Sequence, residues 1–406
     1  MTILSNGFPT NMPDAENVSQ GGPANFARLF TSYITANTKD RWIGVMLQAE
    51  SIRKPKLQKI FSFPRREYYK LYAPKSRLKA LTQAKIKQDP SRLFKGSIDQ
   101  LASLIKRQKP DVVFLNGFGI FNWLLLKAAE QAATPVVIQH AGIWTKELEI
   151  HKSLYTVAGR KMMAEMEKDS SRLASAEVFL NEWSKDYYRR HVAKRADKQT
   201  YIIPLPFDFN LFKGLSRRGQ KNKLSLPGFD HQKFNIGVIA RWDEIKNHQA
   251  ILALAKEAKR LKLPWAFHVV TSIPDLPKYE KARRSYEREI KVIPSLDRDG
   301  ISRFCRTVDL LLQPSLFDVS PTVVLEAVAL NTPIVISPNV GYVHDFKTHG
   351  AEPWVIETKN AASMVKHIIR LARQPMPMSI KKQLRKAHDH KRVFNAYLKV
   401  FSQVGR

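Results

Sequence analysis

Short apolar runs recur along the chain, each followed by a longer stretch with helical spacing, and this alternation leaves few folds open. In the first half the runs are Ile3-Leu4, Trp42 to Leu47, Val112 to Leu115, Pro135 to Ile138, Val178 to Leu180 and Tyr201 to Ile203. In the second half they are Asn235 to Ile239, Ala266 to Val270, Val292-Ile293, Leu310 to Gln313 and Pro333 to Ile336. Between them lie helical stretches such as Pro23 to Ala36, where Phe26, Leu29, Phe30 and Ile34 share one face, Phe121 to Ala133 and Trp183 to Val192. Repeated strand–helix units with apolar strands predict an α/β fold whose parallel sheets are covered on both faces.

The two sets of units are separated by a basic, polar, glycine-containing stretch with Lys213-Gly214, Arg217-Arg218-Gly219 and Lys221, which reads as an interdomain linker. A length of 406 residues suits two domains, each able to bury its own core. The expected division is a Rossmann-like domain over 1–205, a linker over 206–232, a second Rossmann-like domain over 233–378 and a helical segment over 379–406. That last segment is basic and carries Phe394, Tyr397, Leu398 and Phe401. Hydrophobic content of 44% and charged content of 25% are those of a globular protein. No apolar run approaches the roughly 18 residues of a membrane span. The start, Met1-Thr2-Ile3-Leu4-Ser5-Asn6-Gly7, reads as a first strand and loop rather than a secretion signal. A single cysteine, Cys305, forbids an intrachain disulfide and fits a reducing cytoplasm.

Charge is the unusual property. The chain has 67 Lys and Arg against 36 Asp and Glu, a formal net charge of +31, which argues for polyanionic surroundings. Arg53 to Lys109 alone holds 17 basic and 3 acidic residues, interleaved with Phe61, Phe63, Tyr68, Tyr69, Tyr72 and Phe94. Nucleic acid, an anionic membrane surface and a plain solvated face are all compatible with this pattern.

The chemistry concentrates in the second half. Ser315-Leu316-Phe317-Asp318-Val319-Ser320-Pro321-Thr322 leads from the strand at Leu310 into an apolar helix start that carries Glu326 eight residues after Asp318. Two carboxylates so placed can face a crevice at the carboxyl edge of a parallel sheet, and as pure acceptors they suit sugar and ribose hydroxyls. Upstream, the first strand of this half delivers Arg241 and Lys246, five residues apart around a tight loop. Arginine offers a planar fork for phosphate and lysine a compact point charge.

These segments resemble family-four glycosyltransferases. Asp318, Pro321 and Glu326-Ala327 match the signature E-G-x-P-x-V-x-x-E-A, with aspartate for the usual first glutamate and Val319 for glycine. Arg241 and Lys246 match G-R-x-x-x-x-K-G, with Ala240 and Asn247 at the glycine positions. Asn331 stands where the family has a helix-terminal glycine, and Ser337, Val340 and Gly341 resemble its S-x-x-G-G turn. The resemblance implies a GT-B fold, two Rossmann-like domains facing across a cleft with the C-terminal helix crossing back to the first domain. It implies retaining transfer from a nucleotide-diphosphate sugar without a metal cofactor. Arg241, Lys246 and the helix start at Thr322 would hold the diphosphate, Glu326 the ribose and Asp318 the sugar. His140, after the strand at Val136, is read either as a packed histidine or, by the resemblance, as a catalytic contact to the donor sugar. Gly21-Gly22 is read either as a turn or as the family's acceptor and phosphate loop. The expected partners are the sugar donor, a glycan or lipid-linked acceptor and an anionic membrane surface rather than nucleic acid. The expected location is the cytoplasm, at the inner membrane face.

Two other functions fit some of these residues. A GT-B nucleotide-sugar epimerase needs the donor site and no acceptor, and a polyanion-binding protein without catalysis would explain the charge. Asp297-Arg298-Asp299 could mimic a metal-binding pair but stands where an N-cap is expected. There is no zinc spacing, no G-x-x-x-x-G-K-[ST] loop and no G-x-S-x-G.

Overall fold

The computed structural model describes residues 1–7, 21–82, 89–152, 156–194, 198–212, 229–272, 277–372 and 374–405. These form two compact units, one of Met1–Pro206 with His390–Arg406 and one of Phe207–Asp389.

The first unit is built on strands β1 (Thr2–Asn6), β2 (Arg41–Glu50), β3 (Lys56–Phe63), β4 (Arg66–Pro74), β5 (Val112–Asn116), β6 (Val136–His140), β7 (Ala176–Phe179) and β8 (Gln199–Ile202). Their order is β3-β4-β2-β1-β5-β6-β7-β8. All neighbours are parallel except β3, which pairs antiparallel with β4. Every residue of β5 and β6 is buried, as strands covered on both faces require. The β3–β4 hairpin lies within the basic stretch and is not foreseen by the apolar runs. Its edge strand places Lys56 and Lys59 in solvent, the kind of charged edge that resists pairing with another sheet. Of the six interleaved aromatics, Tyr68, Tyr69 and Phe94 are buried, so they belong to the core rather than to a stacking surface.

The segment expected as one C-terminal helix is two. Helix Met378–Ala387 belongs to the second unit, and helix His390–Val404 to the first. In the latter, Phe394, Tyr397 and Phe401 are fully buried against Phe26, Phe30 and Phe114. Ring centroids stand 4.9 Å apart for Phe30–Phe394, 5.1 Å for Phe26–Tyr397 and 5.0 Å for Phe114–Phe401. Offset and edge contacts at these distances add about 0.5–1.5 kcal/mol each beyond area burial. Tyr397 Oη donates to Gln139 Oε1 at 2.7 Å, so its one polar atom is satisfied inside this core.

The second unit has five parallel strands, β9 (Phe234–Ile239), β10 (Trp265–Thr271), β11 (Lys291–Pro294), β12 (Leu310–Gln313) and β13 (Ile334–Ile336), in the order β11-β10-β9-β12-β13. The order reverses between β9 and β12, and in open α/β sheets the crevice at such a switch point is where ligands bind. Gly237 in β9 has no room for a side chain, since a Cβ there would lie 2.8 Å from the Phe304 ring. Phe207 and Phe212 already pack into this unit's core, so it starts earlier than the expected linker allows. Most of that linker, 213–228, lies outside the described residues.

Candidate functional site

Three loops meet at the carboxyl edge of the second sheet. The loop after β9 is shaped by its own side chains. Asp243 accepts a hydrogen bond from the Lys246 amide at 3.1 Å, and Asn247 takes a left-handed backbone with φ of 54°. Asparagine tolerates that conformation better than other residues with a Cβ, so it serves where glycine would be the default. His248 is buried flat against Trp242 with ring centroids 4.3 Å apart, and its Nε2 lies 2.8 Å from the Arg241 carbonyl. Burial lowers the His248 pKa, which favours the neutral ring.

The loop after β12 is stitched to the first. Leu316 donates from its amide to the Ile245 carbonyl at 2.8 Å, and Asn247 Nδ2 donates to the Pro314 carbonyl at 3.1 Å. The loop after β13 closes on the same segment. Asp318 donates from its amide to the Asn339 carbonyl at 3.0 Å, and Gly341 returns a bond to the Asp318 carbonyl at 2.9 Å. Ser337 Oγ donates to the Ser315 carbonyl at 2.6 Å, and the Ser320 and Tyr342 hydroxyls lie 2.8 Å apart. Each loop thereby fixes the next.

This stitching brings Lys246 and Asp318 together, with Nζ 2.6 Å from Oδ2 and both side chains mostly buried. The same oxygen accepts from Gln313 Nε2 at 3.1 Å and Ser315 Oγ at 3.4 Å. Arg241 remains largely in solvent, its side chain 68% exposed and its guanidinium 3.3 Å from Asp243. Thr322 opens the helix Thr322–Leu330, whose N-terminus receives no side-chain cap, so its first amides face the same edge as Asp318.

Glu326 sits one turn further along that helix. It is half-buried, and its carboxyl makes no hydrogen bond among the described residues. Burial pushes its carboxyl up to about 7, against the opposing pull of Arg298. Arg298 begins the helix Arg298–Thr307, and Asp297 caps that helix by accepting from the Gly300 amide at 2.7 Å. Asp297 is thus an N-cap, and among the described residues no group of three His, Cys, Asp or Glu side chains could hold a metal ion.

In the first unit, Gly21 and Gly22 open the helix Gly21–Asn37, which follows β1 at the reversal of strand order between β1 and β5. The loop before them, 8–20, lies outside the described residues. His140 ends strand β6. Its ring is fully buried, stacked 4.5 Å from Phe179 and tilted against Tyr188 at 4.3 Å, with Nε2 3.1 Å from Glu177 Oε1. Burial would raise Glu177, but His140 and Arg189 outweigh it and hold the carboxyl near 2. Placed so, His140 is a member of a buried network. Gln313, Ser315 and Arg298 were given no site role in the sequence reading, yet Gln313 and Ser315 donate to Asp318 and Arg298 acts on the Glu326 carboxylate.

Solved structures share this architecture over nearly the whole chain. Sucrose-phosphate synthase from Thermosynechococcus elongatus matches at a TM-score of 0.75 and 13% identity, covering 99% of this chain and 98% of that one. The UDP-forming alpha,alpha-trehalose-phosphate synthase from Burkholderia xenovorans, solved in complex with glucose-6-phosphate, matches at 0.69 and 14%, covering 99% of both chains. At such identities the likeness is one of fold, and the fold is GT-B. Residues 221–388 match the family of glycosyl transferases group 1. A relative in Bacillus subtilis (strain 168), named "Putative glycosyltransferase EpsF", is 26% identical over 143 residues, which is 35% of this chain and 37% of that protein. The match therefore spans little more than a third of that relative's length.

Proposed function

We propose that the chain is a retaining glycosyltransferase that moves a hexose-type sugar from a nucleotide-diphosphate sugar to a cell-envelope glycan or lipid-linked acceptor. The observation that carries the reading is the joining of Lys246, Asp318 and the uncapped helix at Thr322 at the switch point of the second sheet, with Glu326 one turn on. In the reaction, the bond between the anomeric carbon and the diphosphate breaks and the acceptor oxygen takes its place. The hydroxyl proton leaves with the diphosphate.

The main demand is to stabilise charge on the departing diphosphate. Arg241, Lys246 and the amides at Thr322 supply fixed positive charge there, so the transfer is proposed to run without a metal ion. Glu326 accepts the ribose hydroxyls that would satisfy its carboxylate, and Asp318 accepts from the sugar. Retention is carried by the family resemblance of these residues. Product analysis by NMR tests the reading. Transfer to an acceptor with the donor's anomeric configuration supports it, whereas a free epimerised sugar nucleotide would replace it with an epimerase.

The first unit is assigned the acceptor, and its basic stretch is proposed to hold the enzyme peripherally at the inner membrane face. No described helix is long and apolar enough to cross a membrane. Each Lys or Arg near an anionic leaflet contributes about 1 kcal/mol, so a minority of the 17 basic residues would suffice.

A further inference from the structure

A second place in the first unit is built for an anion. Between the β2–β3 connection, the helix Lys75–Thr82 and the start of the helix Lys95–Gln108 lies an open cavity of about 570 Å³. Lys54, Arg77, Arg92 and Lys95 line it, and among the described residues no carboxylate does. Like charges gathered around one hollow repel, and an anion between them removes that cost. The walls are fixed by hydrogen bonds to backbone carbonyls, which carry no net charge. Gln100 Nε2 donates to the Pro55 carbonyl at 2.7 Å, and Arg77 Nη1 donates to the Leu93 carbonyl at 3.0 Å. Lys95 and Gly96, in the first turn of the helix Lys95–Gln108, bring its positive end to the cavity, and that helix has no side-chain cap. Lys95 also pairs with Asp99 at 2.8 Å, but both side chains are exposed, so the pair is weak.

We propose that this cavity binds the phosphate group of a phosphate-bearing acceptor, which rests on the reading that the first unit takes the acceptor. Arginine forks at Arg77 and Arg92 suit phosphate oxygens, and Lys54 adds a mobile point charge. The ligand is either a soluble sugar phosphate or the phosphate of a lipid headgroup.

The test uses the full chain carrying Arg241→Ala and Lys246→Ala, so that the second unit does not take up the probe. Inorganic pyrophosphate titrated into this protein by calorimetry should bind, and adding Lys54→Glu and Arg92→Glu should weaken it roughly ten-fold or more. Both of these side chains are exposed, so the fold should survive; Arg77→Ala is a poorer probe because Arg77 also holds the Leu93 carbonyl. No binding, or binding unchanged by Lys54→Glu and Arg92→Glu, overturns the site. Vesicles containing phosphatidic acid separate the sources. Binding that pyrophosphate competes away assigns the lipid headgroup, and pyrophosphate binding without vesicle binding assigns a soluble phosphate. Donor binding to the wild-type chain is measured separately, so failure of this site and failure of the glycosyltransferase reading are distinguishable.

Discussion

Lys246 Nζ lies 2.6 Å from Asp318 Oδ2, so the cation assigned to the diphosphate and the acid assigned to the sugar neutralise each other at the edge of the second sheet. A donor that engages both must divide this pair between its phosphate and its sugar hydroxyls. Asp318→Asn should therefore lower kcat by about 100-fold while nucleoside diphosphate binding holds or strengthens, because Lys246 is released to phosphate. Steady-state kinetics beside calorimetry of the nucleotide checks this. A parallel loss of nucleotide affinity would show that the acid serves the diphosphate site instead.

Glu326 makes donor binding pH-dependent. Its folded pKa is raised by burial to about 7 from an ordinary 4.5, so the folded chain retains a proton that the unfolded chain has lost between those values. Its stability contribution is complete below about 4.5 and disappears as pH rises through about 7. Ribose binding has the opposite preference, since the carboxylate is the better acceptor. Nucleotide affinity should rise up to about pH 7 and then level off, and Glu326→Gln should flatten the profile. The same substitution should leave the ligand-free protein at pH 8 as stable as wild type or more so, because it removes a half-buried charge without a hydrogen-bond partner.

His140 should matter to folding more than to chemistry. His140→Ala removes a bond to a buried carboxylate and should cost about 1–3 kcal/mol. Glu177, held near 2, contributes stability that is present above about 4.5 and is lost as pH falls toward about 2. Without His140 that window should narrow. Urea unfolding across pH 2–6 reads this, with kcat of the folded fraction as control; a large kcat loss without a stability loss would support the catalytic reading.

The sequence showed the second half of the molecule better than the first, for physical reasons. Leu310 to Gln313 and Ile334 to Ile336 are buried on both faces, so their apolar character is visible locally, as is the loop chemistry of Asp318 and Asn247. The β3–β4 hairpin was hidden because an edge strand carries lysines that read as a charge run. Lys246 and Asp318 are 72 residues apart, and His140 and Glu177 are 37 apart. Only the strand order makes them neighbours, and no local pattern contains it.

The basic stretch predicts salt-sensitive membrane binding. Sedimentation with anionic vesicles should capture the protein at low salt and release it as the Debye length falls from about 10 Å at 0.1 M to about 3 Å at 1 M. Neutral vesicles should not capture it. Equal capture by both, or by neither, would leave the stretch as a solvated face.

Donor recognition is tested most directly by thermal shift with UDP-, GDP- and ADP-sugars on the wild type and Glu326→Ala. At about 100 times Kd, one nucleotide sugar should raise Tm by about 5 °C or more, and Glu326→Ala should abolish the shift. No shift with any donor, or a shift that Glu326→Ala leaves intact, would contradict the assignment of this site to a nucleotide sugar.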